Sequence, residues 1–439
     1  MSSIGYYLIL AALMFGVNTV LWSTVGAARW LRHEVWPAGA HGYASSTQRC
    51  PIPPLSRVAV LMAAHNEEDV ISVALRSVTR LVPPEQVFVA SDGSSDATVA
   101  LVRAEGANVL DLQPNRGKAG ALAAGVEHFR LADRFDVVLI LDADTELNPD
   151  YFTSGLTMFV DPEVAVVAGR ATTQWRPAEL GLLGKAIVAH RERIYVIVQR
   201  LVKYGQALSA ADAVAIAPGF ASMYRGRVLR EVEMNPPGLV IEDFNMTFEI
   251  HRRGLGRIAF HPSAAVARTQ DPANLHEYAK QVHRWALGFW QTVRLHGLRH
   301  RGLFWFSLIL YCGELVISSL TLLITAALVV VGVALALLAA TGLHLAMPAM
   351  IPPVWVLALV VLIPDLALTL AVAAGQRRAV ILAAAPAYPM LRLLDAWLCL
   401  RSLVGSFRTR SSGSWSSPTR RATALVAANS DPTTAGGTP

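Results

Sequence analysis

Two carboxylates, Asp142 and Asp144, stand one residue apart where the apolar run Val137–Leu141 ends. A run that stops abruptly at charge reads as a buried strand opening into a site. Strands covered on both faces belong to parallel sheets, and ligands of open α/β sheets bind beyond the carboxyl ends of the strands. Paired there, two Asp side chains can hold a hard divalent cation together with a phosphorylated ligand. A second apolar run, Val87–Ala90, ends in Ser91-Asp92-Gly93-Ser94-Ser95-Asp96, a turn that leads into a helix start. Further on, the stretch Gly219 to Tyr224 is followed by Ile241-Glu242-Asp243. Last comes Gln281-Val-His-Arg284-Trp285, where helical spacing puts Gln281, Arg284 and Trp285 on one face. An amide, a fixed cation and an aromatic plate suit a diphosphate and a sugar ring. Taken singly, these motifs also read as a turn, a capping carboxylate or an interfacial Arg-Trp pair. Their order, ahead of a strongly apolar region, points to a site.

The elements that must position them form an α/β domain over residues 55–275. Short apolar runs at Val58–Met62, Val87–Ala90, Asn108–Leu110, Val137–Leu141 and Val164–Ala168 alternate with helix-like stretches. That alternation predicts a mostly parallel sheet with helices on both faces. Glu179 to Tyr204 reads as one long helix and Arg257–Phe260 as a late strand. Residues 33–54 form a Gly/Ser/Pro-rich linker.

Ahead of the linker, in residues 1–32, the apolar stretch Ile4–Ala28 is long enough to span a bilayer, which needs about 20 residues. A cleaved signal peptide would carry its basic residues first. Here Arg29 and Arg32 follow the run, which places the N-terminus outside and the next domain in the cytosol. Residues 276–300 predict an amphipathic helix at the membrane interface. Residues 301–407 hold the apolar stretches Phe304–Leu343, Val354–Ala374 and Val380–Val404, interrupted by Glu314, Asp365, Arg392, Asp395 and Arg401. The three carboxylates mark either a polar path through the membrane or helix ends at its interface. The tail, 408–439, is rich in Ser, Thr, Ala, Gly and Pro and is expected to be disordered.

Composition agrees with a multi-pass membrane protein: 53% of the 439 residues are apolar and 16% charged, against about 25% charged in soluble domains. The formal charge of +6 fits basic segments facing anionic membrane lipid. No basic stripe interleaved with aromatics argues for nucleic acid. Cys50, Cys312 and Cys399 lie far apart and make no ligand cluster or disulfide framework. The His residues include no zinc-binding HExxH, and Gly117-Lys118 lacks the flanking residues of a phosphate-binding P-loop.

From about Pro54 to about His296 the chain resembles the membrane-embedded family-two glycosyltransferases, which include the synthases of cellulose, chitin, hyaluronan and poly-N-acetylglucosamine. The residues that carry the resemblance are Ala63-Ala-His-Asn66-Glu67-Glu68, Ser91-Asp92-Gly93-Ser-Ser-Asp96, Asn115-Arg-Gly117-Lys118-Ala-Gly120, Asp142-Ala-Asp144, Glu242-Asp243 and Gln281-Val-His-Arg284-Trp285. Ile241 departs from it, since the polymer synthases often carry Thr before Glu-Asp.

The resemblance implies a GT-A-type nucleotide-sugar transferase domain inserted between an N-terminal transmembrane helix and a C-terminal helical membrane region. With the residue types, it assigns Asp92 and Glu67 to the uridine nucleotide and Lys118 to the nucleotide or its phosphates. Asp142 and Asp144 would hold Mg²⁺ or Mn²⁺, Asp142 also facing the donor, and Arg284 would pair with the diphosphate. Asp243 would be the general base, with Glu242 as fallback, and Glu242, Gln281 and Trp285 would face the acceptor. The implied reaction is inverting transfer from a UDP-sugar to a growing polysaccharide at the cytosolic membrane face, with coupled export. The alternative is a single addition to a lipid acceptor. A catalytically dead scaffold is disfavoured by the full carboxylate set, and a simple transporter by the large α/β domain.

Overall fold

The computed structural model describes residues 15–32, 50–341 and 354–409, the side chains of 354–361 excepted. The start of the expected first span, most of the linker and nearly all of the tail lie outside the described residues.

The central sheet has seven strands in the order β3-β2-β1-β4-β8-β6-β9. They are β1 (Val58–Ala64), β2 (Val87–Asp92), β3 (Asn108–Leu112), β4 (Val137–Asp142), β6 (Val164–Ala168), β8 (Ala221–Arg225) and β9 (Arg257–Ala259). The strands from β3 to β4 pair in parallel. β8 runs antiparallel between β4 and β6. A smaller sheet pairs β5 (Glu146–Leu147), β10 (Val266–Thr269) and β7 (Arg170–Thr173). β1 shows why the layers form: Val58, Val60 and Met62 enter one hydrophobic core, and Ala59, Leu61 and Ala63 the other. Side chains alternate across a strand, so a strand apolar at every position needs cover on both sides. That cover comes from α2 (Ile71–Thr79) and α3 (Thr98–Ala104) on one face and α4 (Gly117–His128) on the other.

The expected single helix over Glu179–Tyr204 is divided. Helix α5 (Leu182–Ile197) passes into a π-helical segment, Val198–Lys203. That segment packs against α1 (Val17–Trp30). The approach is backbone to backbone, since a Cβ on Gly26 would lie 2.0 Å from the Leu201 carbonyl oxygen. At its far end α1 is held by Arg29, whose guanidinium lies 4.0 Å from the Tyr204 ring centroid.

Helix α6 (Glu242–Arg253) lies between β8 and β9, and α7 (Leu275–His296) follows β10, capped by Asn274 Oδ1, which accepts from the Glu277 N–H at 2.9 Å. Helix α8 (Leu303–Ala340) is continuous over 38 residues, roughly 57 Å at 1.5 Å per residue. The described part of the apolar stretch that begins at Phe304 therefore makes one helix. Among the described residues it is the one helix long and apolar enough to cross a membrane. Its apolar side chains point outward, Val330 being 68% and Leu337 66% exposed, as no core helix would be. Helix α9 (Val354–Gln376) follows. The Val380–Val404 stretch divides into a short helix, Ala379–Ala383, and α10 (Tyr388–Gly405), which packs on α7 and α8.

The three carboxylates within these apolar stretches all have partners. Glu314 accepts from the Thr19 N–H at 3.0 Å and so caps the first turn of α1 from α8. Asp365 lies between Arg193 and Arg392. Asp395 accepts from Tyr278 Oη at 2.7 Å and lies 3.3 Å from His190 Nε2.

Candidate active site

The carboxyl ends of β1, β2 and β4 meet at one edge of the sheet, because these strands are adjacent and parallel. After β1 the chain turns through Asn66, in the left-handed conformation at φ 53°, and its side-chain Oδ1 accepts from the Ser95 N–H at 2.8 Å. This ties the loop of Glu67 to the loop of Asp92. Glu67 is buried and its amide donates to Thr98 Oγ1. Asp92, fully buried, accepts from the Arg116 amide at 2.7 Å and so fixes the entry to α4. Burial raises its carboxyl above the usual carboxylate range, against the pull of the Arg116 and Gly117 amides.

In the first turn of α4, Lys118 Nζ lies 2.8 Å from Asp142 Oδ1 and 2.8 Å from Glu242 Oε1. The lysine expected on the nucleotide thus joins the first carboxylate of Asp-x-Asp to the first of Glu-Asp. Burial alone would lower its pKa, but the two carboxylates raise it, so it stays charged. Asp142 is pushed above its usual range by burial and by Asp144 and Glu242, with Lys118 opposing. Glu242 is held below its usual range because Lys118 and Arg284 outweigh burial. Asp144, 6% exposed, lies beside Asp142, and its carbonyl accepts from Gln174 Nε2 at 3.2 Å.

Asp243 occupies the first turn of α6, where the helix dipole favours a carboxylate. Its Oδ2 accepts from the Gly219 N–H at 3.1 Å and its Oδ1 from the Phe244 N–H at 2.8 Å. Burial, reinforced by Glu242, pushes the carboxyl up to about 6. The two acidic neighbours therefore differ: Glu242 is committed to a lysine, whereas Asp243 holds only backbone amides among its hydrogen bonds. Gly219 sits amid this cluster, since a Cβ there would lie 3.1 Å from Glu242 Oε1 and 3.5 Å from Lys118 Nζ. The same segment meets β4, where the Asp142 N–H donates to the Phe220 carbonyl at 2.9 Å.

Helix α7 reaches the cluster through Gly288, where a Cβ would lie 2.8 Å from Ile241 Cβ. Ile241 is therefore a packing residue that seats α7 on the start of α6. This brings Arg284 within electrostatic reach of Glu242. Gln281 Oε1 is buried and makes no hydrogen bond among the described residues. Trp285 is half-buried, with the Arg191 guanidinium 4.2 Å from its ring centroid. Arg191, Tyr195 and Asp271 belong to this site's surroundings and were not expected there. Arg191 and Asp271 pair across 80 positions, and no local pattern announces such a pair.

The model of the glycosyltransferase-like family 2 matches residues 53–288, which takes in all of these residues and more than half of the chain. The chain belongs to that family and is a glycosyltransferase. Its domain has the GT-A-type architecture, with the mostly parallel sheet expected from the strand pattern. Poly-β-1,6-N-acetyl-D-glucosamine synthase of Staphylococcus aureus strain MSSA476 is 30% identical over 240 residues, 53% of this chain and 55% of that protein. The corresponding synthase of Staphylococcus epidermidis is 26% identical over 251 residues, 54% of this chain and 57% of that protein. The chain thus spans about half the length of the curated relatives it matches. Among solved structures, a mannosyltransferase from Pyrobaculum calidifontis in complex with GDP-Man and Mn²⁺ aligns with a TM-score of 0.48 at 18% identity, covering 87% of this chain and 99% of that one.

Proposed function

We propose that this glycosyltransferase moves a sugar from a UDP-sugar onto a growing polysaccharide at the cytosolic face of a membrane, with UDP-N-acetylglucosamine as the first donor to test. The observation that carries this reading is the divided pair on α6. Glu242 is paired with Lys118, while Asp243, lifted to about 6, accepts hydrogen bonds from backbone amides, makes no lysine ion pair among the described residues and can take a proton at neutral pH. The poly-N-acetylglucosamine synthases named above support the polymeric product and the donor.

Asp92 and Glu67 hold the nucleoside end of the donor in the loops after β1 and β2. Arg284, whose planar fork suits phosphate oxygens, steadies the diphosphate. Asp142 and Asp144, two adjacent carboxylates with oxygen donors only, fit Mg²⁺ or Mn²⁺. The ion, when bound, would neutralise charge on the departing diphosphate. Asp243 accepts the proton of the acceptor hydroxyl. The hydroxyl oxygen bonds to the anomeric carbon as the carbon–oxygen bond to the diphosphate breaks, UDP leaves, and the configuration inverts. Gln281, with its unsatisfied buried oxygen, and Trp285 bind the acceptor sugar.

The membrane reading follows from α8 and its outward apolar side chains, and from Arg29 in the last turn of α1 with Arg32 just beyond it, which favour a cytosolic domain. With α8 and α9 as one span each and the charged α10 against α7 at the interface, residue 409 returns to the cytosol.

The test is to incubate membranes with labelled UDP-N-acetylglucosamine, UDP-glucose and GDP-mannose in turn and to measure product size and solubility. A high-molecular-weight product from a UDP-sugar is expected. A product extracted into organic solvent would instead establish single addition to a lipid, and transfer from GDP-mannose alone would overturn the donor assignment.

A further inference from the structure

Trp285 carries a cation on one face that neither the nucleotide nor the acceptor supplies. Arg191, on α5, is 4% exposed, and its guanidinium carbon lies 4.2 Å from the indole centroid. The guanidinium is fixed at its edge from two directions. Arg191 Nε donates to Asp271 Oδ1 at 3.2 Å, and an Arg191 terminal N–H donates to Tyr195 Oη at 2.7 Å. Tyr195 Oη in turn donates to the same Asp271 oxygen at 3.2 Å, closing the triangle. Asp271, 3% exposed, lies just beyond the end of β10. Helix α5, the segment after β10 and α7 therefore converge on one ring.

A guanidinium holds its donors in its plane and keeps its faces for stacking, which a lysine ammonium cannot do. Two of its N–H donors are engaged here by Asp271 and Tyr195, and its carbon sits over the Trp285 ring. A buried Arg–Asp pair is poor evidence of stabilisation, because both ions lose their water. Its cost is better explained by what it holds still. A half-buried indole has freedom about its side-chain torsions, and a cation stacked on one face selects one orientation.

We propose that Arg191, locked by Asp271 and Tyr195, is the positioning residue for Trp285, backing one face of the indole so that only the opposite face is offered to the acceptor sugar. This rests on the reading of Trp285 as the acceptor-side plate.

The experiment is a double-mutant cycle on the full-length protein in detergent, with UDP-N-acetylglucosamine as donor and a short β-1,6-linked N-acetylglucosamine oligomer as acceptor. Arg191→Lys keeps the charge for Asp271 and removes the flat face. It is expected to raise the KM for the oligomer about tenfold, the worth of a desolvated cation–aromatic contact. Donor hydrolysis by water and UDP affinity stay within about twofold in the same variant, since neither uses the plate. In a Trp285→Ala background, Arg191→Lys adds nothing further, because the ring it positions is gone. Tyr195→Phe, which removes one hydroxyl and no charge, shows the same pattern more weakly and serves if Arg191→Lys fails to fold. A loss that multiplies with that of Trp285→Ala, or that falls equally on hydrolysis and transfer, overturns the proposal and leaves Arg191 a purely structural residue. If Trp285→Ala itself leaves the oligomer KM unchanged, the acceptor reading of Trp285 fails, and the role of Arg191 fails with it.

Discussion

Replacing Lys118 by Met should expose how much of this site is held by one cation. The side chain keeps its length and loses its charge, leaving Asp142 and Glu242 facing each other across the former ammonium. At 2.8 Å from each carboxylate, the lysine gains about 6 kcal/mol of attraction per pair at an effective dielectric near 20. Desolvation of all three ions offsets much of that gain. Removing one member of such a buried group still costs about 3–5 kcal/mol, because the remaining charges lose their partner. For a domain of this size, that corresponds to a fall of roughly 6–20 °C in the unfolding temperature.

The loss should depend on pH with a definite sign. Burial already holds the Asp142 carboxyl above its usual range; without Lys118 it rises further, and the Glu242 carboxyl, held low by that lysine, rises with it. A carboxyl raised in the folded state favours folding at low pH and opposes it as pH climbs from about 4 through its folded pKa. The Lys118→Met deficit is therefore largest at pH 8 and shrinks toward pH 5. Thermal unfolding of the detergent-solubilised protein, followed at both pH values, measures it. A drop of less than about 2 °C at pH 8, or a deficit that grows on acidification, would refute the reasoning.

Asp243→Asn should cut transfer by about 10²–10⁴ while UDP affinity persists, and the wild-type kcat/KM should rise with pH through about 6 and then level; a flat profile would count against Asp243 as base. Asp144→Asn should weaken donor binding and activity together, and excess chelator should abolish transfer in the wild type; full activity in chelator would dismiss the metal. Asp365→Asn removes the charge shared by Arg193 and Arg392, so the time to half-inactivation at 45 °C (a temperature of about the lower edge of mesophile unfolding) should fall severalfold, whereas an unchanged half-time would mean the two arginines do not depend on it. A reporter fused after Thr409 should be cytosolic, and an extracellular signal would show that α10 crosses the membrane.

The strand pattern carried most of the transferase fold because each inner strand is buried on both faces and reads as an unbroken apolar run. β8 escaped that logic. It contains Ser222 within the sheet and directly follows Gly219-Phe220, so its run of apolar residues is short and interrupted. Its antiparallel course between β4 and β6 is a long-range fact that no local period encodes. The π-helical turn after α5 was illegible for a similar reason, since its residues suit an ordinary helix and only its packing against α1 distinguishes it.

The site divides along the same line. Strand ends announced Asp92, Asp142 and Asp144, and helical spacing announced the shared face of Gln281, Arg284 and Trp285. What spacing cannot carry is pairing. A carboxylate in an apolar helix states that it needs a partner, because an isolated buried charge is costly, yet it does not say which element supplies one. Asp395 finds Tyr278 across 117 positions, and Asp365 finds Arg193 across 172. Glu314 finds the exposed amides of α1, which need an acceptor as much as the carboxylate needs donors. Each had been open to reading as part of a polar path. Their partners make them joints instead: Glu314 ties α8 to α1, Asp365 ties α9 to both α5 and α10, and Asp395 ties α10 to α5 and α7. Two of these joints bear on α5, the helix that also carries Arg191, so α9, α10 and the ring of Trp285 are anchored through the same element.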